Sequence, residues 1–201
     1  KQGNVNIQIA EQESCHEKDC SVTKGTFASA WLHHGCAPQN ETYEYAVWIQ
    51  PTPQELATIR PLETYHVLQK DNNAHILYDI PTNTTAYSIF ESITLEQDSI
   101  FQKLPAETMI MSKTTDYSLL MSVCDPNLNI REKAFTTKEP SRPIDKTITL
   151  RKEWELTSEN KHVTLEYKDH QTLLHVRCQH GIPVEFTLRL IKSRTSSLME
   201  E

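Results

Sequence analysis

"YHVLQKDNNAHILYDI", residues 65 to 80, decides the fold. Two runs of apolar-polar alternation, 65–70 and 74–80, flank Asp71-Asn72-Asn73. Asn and Asp tolerate positive φ and close tight turns, so the stretch predicts a β-hairpin. The same period of two continues on both sides. Upstream lie "VNIQIA" (5–10), "TFASAWLHH" (26–34) and "YEYAVWIQP" (43–51). Downstream follow "TAYSIF" (85–90), "TMIMSK" (108–113), "YSLLMSVC" (117–124), "KTITLRKEW" (146–154), "HVTLEYK" (162–168), "TLLHVRC" (172–178) and "PVEFTLRLI" (183–191). Short strands at this spacing, with turn residues between them, predict an all-β chain of antiparallel β-sandwich units.

The turns are made with few glycines. Only four occur, so Asn, Asp and Pro must do the turning. One short helix is signalled by Thr52-Pro53-Gln54-Glu55, with an N-cap Thr, Pro at the first helical position and Glu at the third. It is expected to end by Pro61. A second short turn is expected from Thr94. A composition shift at "QKLPAE" (102–107) predicts two β units, residues 1–105 and 106–192, with 193–201 as a frayed tail.

The bulk numbers exclude whole classes of function. The chain has 201 residues, a formal net charge of −7 and no apolar run long enough to span a bilayer. A phosphate-binding surface needs clustered Lys and Arg. The densest basic clusters here are Arg151-Lys152 and Lys192 to Arg194, so nucleic acid is not an expected partner. The first twenty residues lack the apolar stretch of a signal peptide, and Lys1 suggests a piece of a longer chain.

Five cysteines occur without a C-x-x-C spacing, so no zinc ribbon or redox motif is predicted. Cys15 and Cys20 are close enough in sequence for a disulfide across a short loop in an oxidising compartment. Cys124 and Cys178 lie in apolar runs and read as buried free thiols.

His33-His34 is the one conspicuous cluster of potential ligands. On a strand, neighbours face opposite sides, so the two are expected to be structural and not to share a metal. His66 and His75 are expected to come near each other across the hairpin as surface decoration. Asn40 and Asn83 fit the N-x-[ST] glycosylation pattern. Acid pairs such as Glu41/Glu44 and Glu153/Glu155 read as solvated faces. No nucleophile-elbow, zinc-protease or phosphate-loop motif is present, and no catalytic, cofactor-binding or metal-binding residue is assigned.

"FASAWLHHGCAPQNETYEYAVWIQPTPQE" resembles the β region of the polysaccharide lyases that cleave chondroitin, dermatan and hyaluronan. In that family a Trp strand leads into a [D/H]-H-G turn, a Pro and a Y-x-Y strand; here these are Trp31, His34-Gly35, Pro38, Tyr43 and Tyr45. "YHVLQKDNNAHILYD" resembles the next hairpin. "SLLMSVCDPNLNI" (118–130), with Asp125-Pro126, resembles the opening of the C-terminal sandwich. The likeness runs from about Thr23 to about Leu190 and is nearest to the chondroitin sulfate ABC lyases. His33 departs from it, because Asp is the usual residue there.

The resemblance implies that residues 1–105 finish a central super-sandwich and 106–192 form a small C-terminal sandwich. It implies a parent enzyme, secreted or periplasmic, with an upstream catalytic α/α-toroid. Such enzymes act by β-elimination: a base takes the C5 proton of the uronic acid and an acid protonates the leaving oxygen. The His, Tyr and Arg that do this lie on the helical domain, with a supporting Glu early in the β region. None of these motifs maps onto this chain, so it is expected to be inactive alone and to brace the catalytic module. The alternative is a free-standing carbohydrate-binding module that stacks sugars on Trp31, Trp48, Trp154, Tyr43, Tyr45 or Tyr87.

Overall fold

The structure is a computed structural model, and it describes residues 5–16, 18–127 and 141–191. The expected tail at 193–201 lies outside the described residues. The chain divides into two units, Lys1–Thr52 and Pro53–Glu201.

The first unit holds one antiparallel ribbon, β1 (Val5–Cys15) and β2 (Val22–Leu32). The register sets Val5 opposite Leu32 and Ile9 opposite Ala28 on one face. Trp31 lies opposite Asn6, and Phe27 opposite Ala10, on the other. The expected strand at 43–51 is absent: residues 41–52 carry no strand. The alternation there is real, but a strand needs a ladder, and no described strand pairs with it. Positive φ at Ala37, Asn40 and Gln50 bends the chain before and after it. Val47 and Ile49 are left exposed.

The second unit begins with helix α1 (Pro53–Thr58), which ends before Pro61 as expected, and a further helical turn, α2 (Pro61–Thr64). Twelve strands follow: β3 (Tyr65–Lys70), β4 (Ala74–Asp79), β5 (Thr84–Ile89), β6 (Ile93–Thr94), β7 (Phe101–Leu104), β8 (Thr108–Thr114), β9 (Ser118–Cys124), β10 (Ile144–Arg151), β11 (Trp154–Leu156), β12 (Val163–Lys168), β13 (Gln171–Cys178) and β14 (Val184–Leu190). They form a five-stranded sheet, β12-β13-β10-β7-β6, and a seven-stranded sheet, β11-β14-β9-β8-β5-β4-β3. The pairings are antiparallel and both sheets contribute to one core, so the fold is an all-β sandwich.

That core follows from alternation. Phe101, Ile148, Leu150, Leu174 and Val176 come from the smaller sheet; Ile76, Ile89, Ile110, Leu119, Val123 and Leu188 come from the larger. The boundary expected near residue 105 therefore runs through one unit: β5 pairs with β8, and β7 with β10, across it. The turn expected from Thr94 is instead the short strand β6, paired to β7. Asp98 makes the reversal, its Oδ1 accepting from the Ile100 and Phe101 amides at 2.7 and 2.8 Å. Arg151 fixes the same loop by donating to the carbonyls of Leu95 and Asp98, each at 2.7 Å.

One charged pair lies in the interior. Lys146 Nζ sits 2.8 Å from Asp125 Oδ2, with both side chains almost fully buried. That contact is an ion pair. Lys146 also donates to the Ala106 carbonyl at 3.1 Å, and Asp125 Oδ1 accepts from the Asn127 amide at 2.7 Å. The pair ties the end of β9 to β10 and to the β7–β8 connection. Cys178 is buried in the core, and burial pushes its thiol up. Cys124 is half-buried rather than buried, and its thiol is raised too. Both are free thiols.

Candidate functional site

Strand β2 delivers Trp31 to the surface and stops at Leu32. The two histidines therefore belong to the turn after the strand, not to the strand as expected. Gly35 occupies φ +83°, and its amide donates to His33 Nδ1 at 3.0 Å, which ties His33 to its own turn. His34 is half-buried; its Nδ1 lies 3.9 Å from Glu41 Oε2, and its ring stands 6.4 Å from that of Tyr43. The adjacent imidazoles thus serve different partners. Among the described residues, no three His, Cys, Asp or Glu side chains gather as a metal would require.

Beyond the turn, Tyr43 and Tyr45 stack, with ring centroids 6.1 Å apart and planes within 15°. This follows the i, i+2 spacing of extended chain, which puts alternate side chains on one side. Val5, Ala30, Trp31, Leu32, His34, Tyr43, Glu44 and Tyr45 line a cavity of about 510 Å³. Trp31, Tyr43 and Tyr45 are all exposed. Flat aromatic faces beside a His and a Glu suit a ligand with an apolar face and polar edges, which is the chemistry of a pyranose ring.

The other stacking candidates do not join this cavity. Trp154 and Tyr87 are core residues. Trp154 Nε1 donates to the Arg151 carbonyl at 2.9 Å, and the Tyr87 hydroxyl to Asp98 Oδ2 at 3.3 Å. Burial, then the charge of Asp98, pushes the Tyr87 phenol up. Trp48 is half-exposed and does not line the cavity.

His66 and His75 are not opposite each other. The hairpin turns tightly on Asn72-Asn73, so His75 faces Lys70 and His66 faces Tyr78. The His75 ring packs edge-on against Phe90 at 5.1 Å. Of the two glycosylation triplets, Asn40 is exposed. Asn83 is engaged: its Oδ1 accepts from the Tyr78 hydroxyl at 2.9 Å, and its Nδ2 donates to the Thr114 carbonyl at 3.0 Å.

A smaller cavity of about 260 Å³ in the second unit was not foreseen. Arg177, His162, His180 and Glu185 line it, with Ile182 and Pro183 as its apolar side. Ser141 Oγ and His180 Nδ1 lie 3.0 Å apart at its edge. Arg177, His180 and Glu185 lie within nine positions of one another, and the β12–β13 pairing adds His162, whose carbonyl accepts from the Arg177 amide at 2.8 Å; each reads alone as a surface side chain.

No protein-family model matches the chain. It is 29% identical over 190 residues to the chondroitin sulfate ABC endolyase of Proteus vulgaris, covering 92% of this chain and 18% of that protein. It is 29% identical over 183 residues to the chondroitin sulfate ABC exolyase of the same organism, and 27% over 187 residues to that of Bacteroides thetaiotaomicron. Those matches cover 81% and 83% of this chain and 18% of each exolyase. The chain thus spans under a fifth of the length of these relatives. Among solved structures, a chondroitin AC lyase of Streptomyces coelicolor superposes with a TM-score of 0.63 at 13% identity, over 95% of this chain and 24% of its own. A Paenibacillus xanthan lyase gives 0.63 at 17% identity, over 96% and 18%. These two share the fold. The sequence matches make the chain a homologue of one stretch of the chondroitin ABC lyases.

Proposed function

We propose that this homologue of the chondroitin ABC lyases is the non-catalytic C-terminal β portion of a glycosaminoglycan lyase. Its parent would act on chondroitin or dermatan sulfate, and on hyaluronan, by β-elimination. The chain would brace an upstream α/α-toroid and line part of the substrate cleft, while the proton-moving groups lie on that toroid. The observation that carries this reading is a match over 92% of the chain to only 18% of an endolyase. A polymer of sugar acids does not diffuse across a cell envelope, which favours a secreted or periplasmic enzyme.

The test is an elimination assay on the chain alone with chondroitin sulfate. No unsaturated uronate absorbance is expected. Release of unsaturated disaccharide by the isolated chain would overturn the bracing role.

The stacked Tyr43 and Tyr45 beside Trp31 favour a second reading, a carbohydrate-binding module. Base-free aromatic stacking on sugars is weak, so the expected binding of a chondroitin oligosaccharide is in the millimolar range, about −4 kcal/mol. Trp31→Ala should abolish it in titration calorimetry while the circular dichroism spectrum stays unchanged. Equal binding by wild type and variant would remove this cavity from the sugar path.

A further inference from the structure

The tip of the β1–β2 ribbon carries two exposed thiols, Cys15 and Cys20. Cys15 ends β1 and lies opposite Val22, the first residue of β2. Cys20 comes two residues before Val22, in the turn, where a continued flat ladder would make it the diagonal neighbour of Cys15. Diagonal neighbours in a flat ladder are too far apart for a disulfide, which needs Cβ atoms roughly 4 Å apart. The turn here is not flat. The His16 amide donates to the Ser21 carbonyl and the Cys20 amide to the His16 carbonyl, each at 2.9 Å. Cys20 takes a positive φ of 53°, which folds it back over the mouth of the loop. Asp19 holds that conformation by accepting from the Ser21 amide at 3.0 Å and from the Ser21 hydroxyl at 2.8 Å. The result is that the two exposed thiols flank one tight turn, with the Cys15 side chain beside that of Cys20 and its Sγ donating to the His16 carbonyl at 3.6 Å.

We propose that Cys15 and Cys20 are a redox site, closed by an intrachain disulfide that staples the tip of the ribbon. The oxidant class is a small-molecule or protein disulfide, for which glutathione disulfide serves as the probe. One cysteine thiolate attacks the oxidant disulfide, forming a mixed disulfide and releasing one glutathione thiolate. The second cysteine attacks the protein sulfur of that mixed disulfide and releases the second glutathione. Two electrons pass to the oxidant, and the two cysteine protons end on the released thiols. The other three cysteines are placed differently. Cys178 is buried, Cys124 is half-buried, and Cys36 is exposed in the turn that follows β2. The proposal does not depend on the sugar reading, and its test uses no sugar.

The whole chain, fully reduced, is equilibrated with glutathione disulfide, unfolded in alkylating agent and weighed. Cys15 and Cys20 should escape alkylation without carrying glutathione, and a tryptic map should show a Cys15–Cys20 cross-link, whereas exposed Cys36 should carry a glutathione adduct. Cys36→Ser should leave that pattern intact, with the variant's single fewer thiol accounted for at position 36. Cys20→Ser should stop at a stable glutathione adduct on Cys15. The melting temperature should rise on oxidation in wild type and in Cys36→Ser, but not in Cys20→Ser. Five alkylated cysteines after oxidation would refute the site, as would a cross-link from either residue to Cys36 or a disulfide-linked dimer.

Discussion

Asp71 shows how one carboxylate specifies a hairpin. Its Oδ1 accepts from the Asn73 and Ala74 amides at 2.8 and 3.0 Å, and those bonds hold its carboxyl below the ordinary value of 3.8. A group depressed in the folded state stabilises above its unfolded value and loses that contribution as pH falls through the folded one. Asp71→Asn should therefore melt lower than wild type at neutral pH, and the gap should close below pH 3.8. Thermal melts across pH 2–7 read this directly, and a gap independent of pH would assign the effect to shape alone. The interior pair poses the opposite problem. Removing one member of a buried ion pair strands the other charge, at a cost of about 3–5 kcal/mol. Asp125→Ala should lose that much in urea denaturation. Asp125→Leu combined with Lys146→Met should recover a large part of it.

At the scale of elements, the strands that read clearly are those that alternate and also find partners. The 65–79 hairpin lies within one residue of its expected bounds, because turn chemistry and pattern agree. "YEYAVWIQP" alternates equally well, yet residues 43–51 form no strand, since pairing is a tertiary fact that the local pattern does not contain. Strands β6 and β7 have two and four residues, too few to show a period. Lys146 was legible in principle: it falls in phase with Ile144, Ile148 and Leu150, the inward side of β10, but a lysine invites a solvent reading. The Trp31–Tyr43–Tyr45 cavity was half legible. The aromatics stood out, whereas their gathering depends on a turn with residues at positive φ, at Gly35, Ala37 and Asn40. The missed strand β7 is nevertheless essential. Phe101 is fully buried against Tyr87, with rings 5.1 Å apart edge to face. Phe101→Ala should cost about 3–5 kcal/mol, measurable by denaturant titration, because the cavity it leaves is closed by both sheets.

The whole molecule is two bodies of very different self-sufficiency. The second unit contains both multistranded sheets and every residue of the buried core cluster. The first contains a two-stranded ribbon whose apolar side chains, Val5, Ile7, Ile9, Phe27 and Trp31, remain exposed. An isolated two-stranded ribbon buries too little apolar area to offset the entropy of ordering its chain. Stability should therefore reside in the second unit. A truncation that begins at Pro53 should keep the sandwich's β-type circular dichroism and melt in one cooperative transition. Residues 1–52 alone should lack stable β structure in dilute solution. If the truncated chain loses its cooperative transition, the core is not confined to the second unit's own strands. If residues 1–52 alone show dispersed amide resonances, the ribbon is stabilised by contacts internal to it, and the aromatic cavity at Trp31 becomes a self-standing site. The expected outcome instead makes that cavity depend on whatever covers the ribbon, as the proposed bracing role would require.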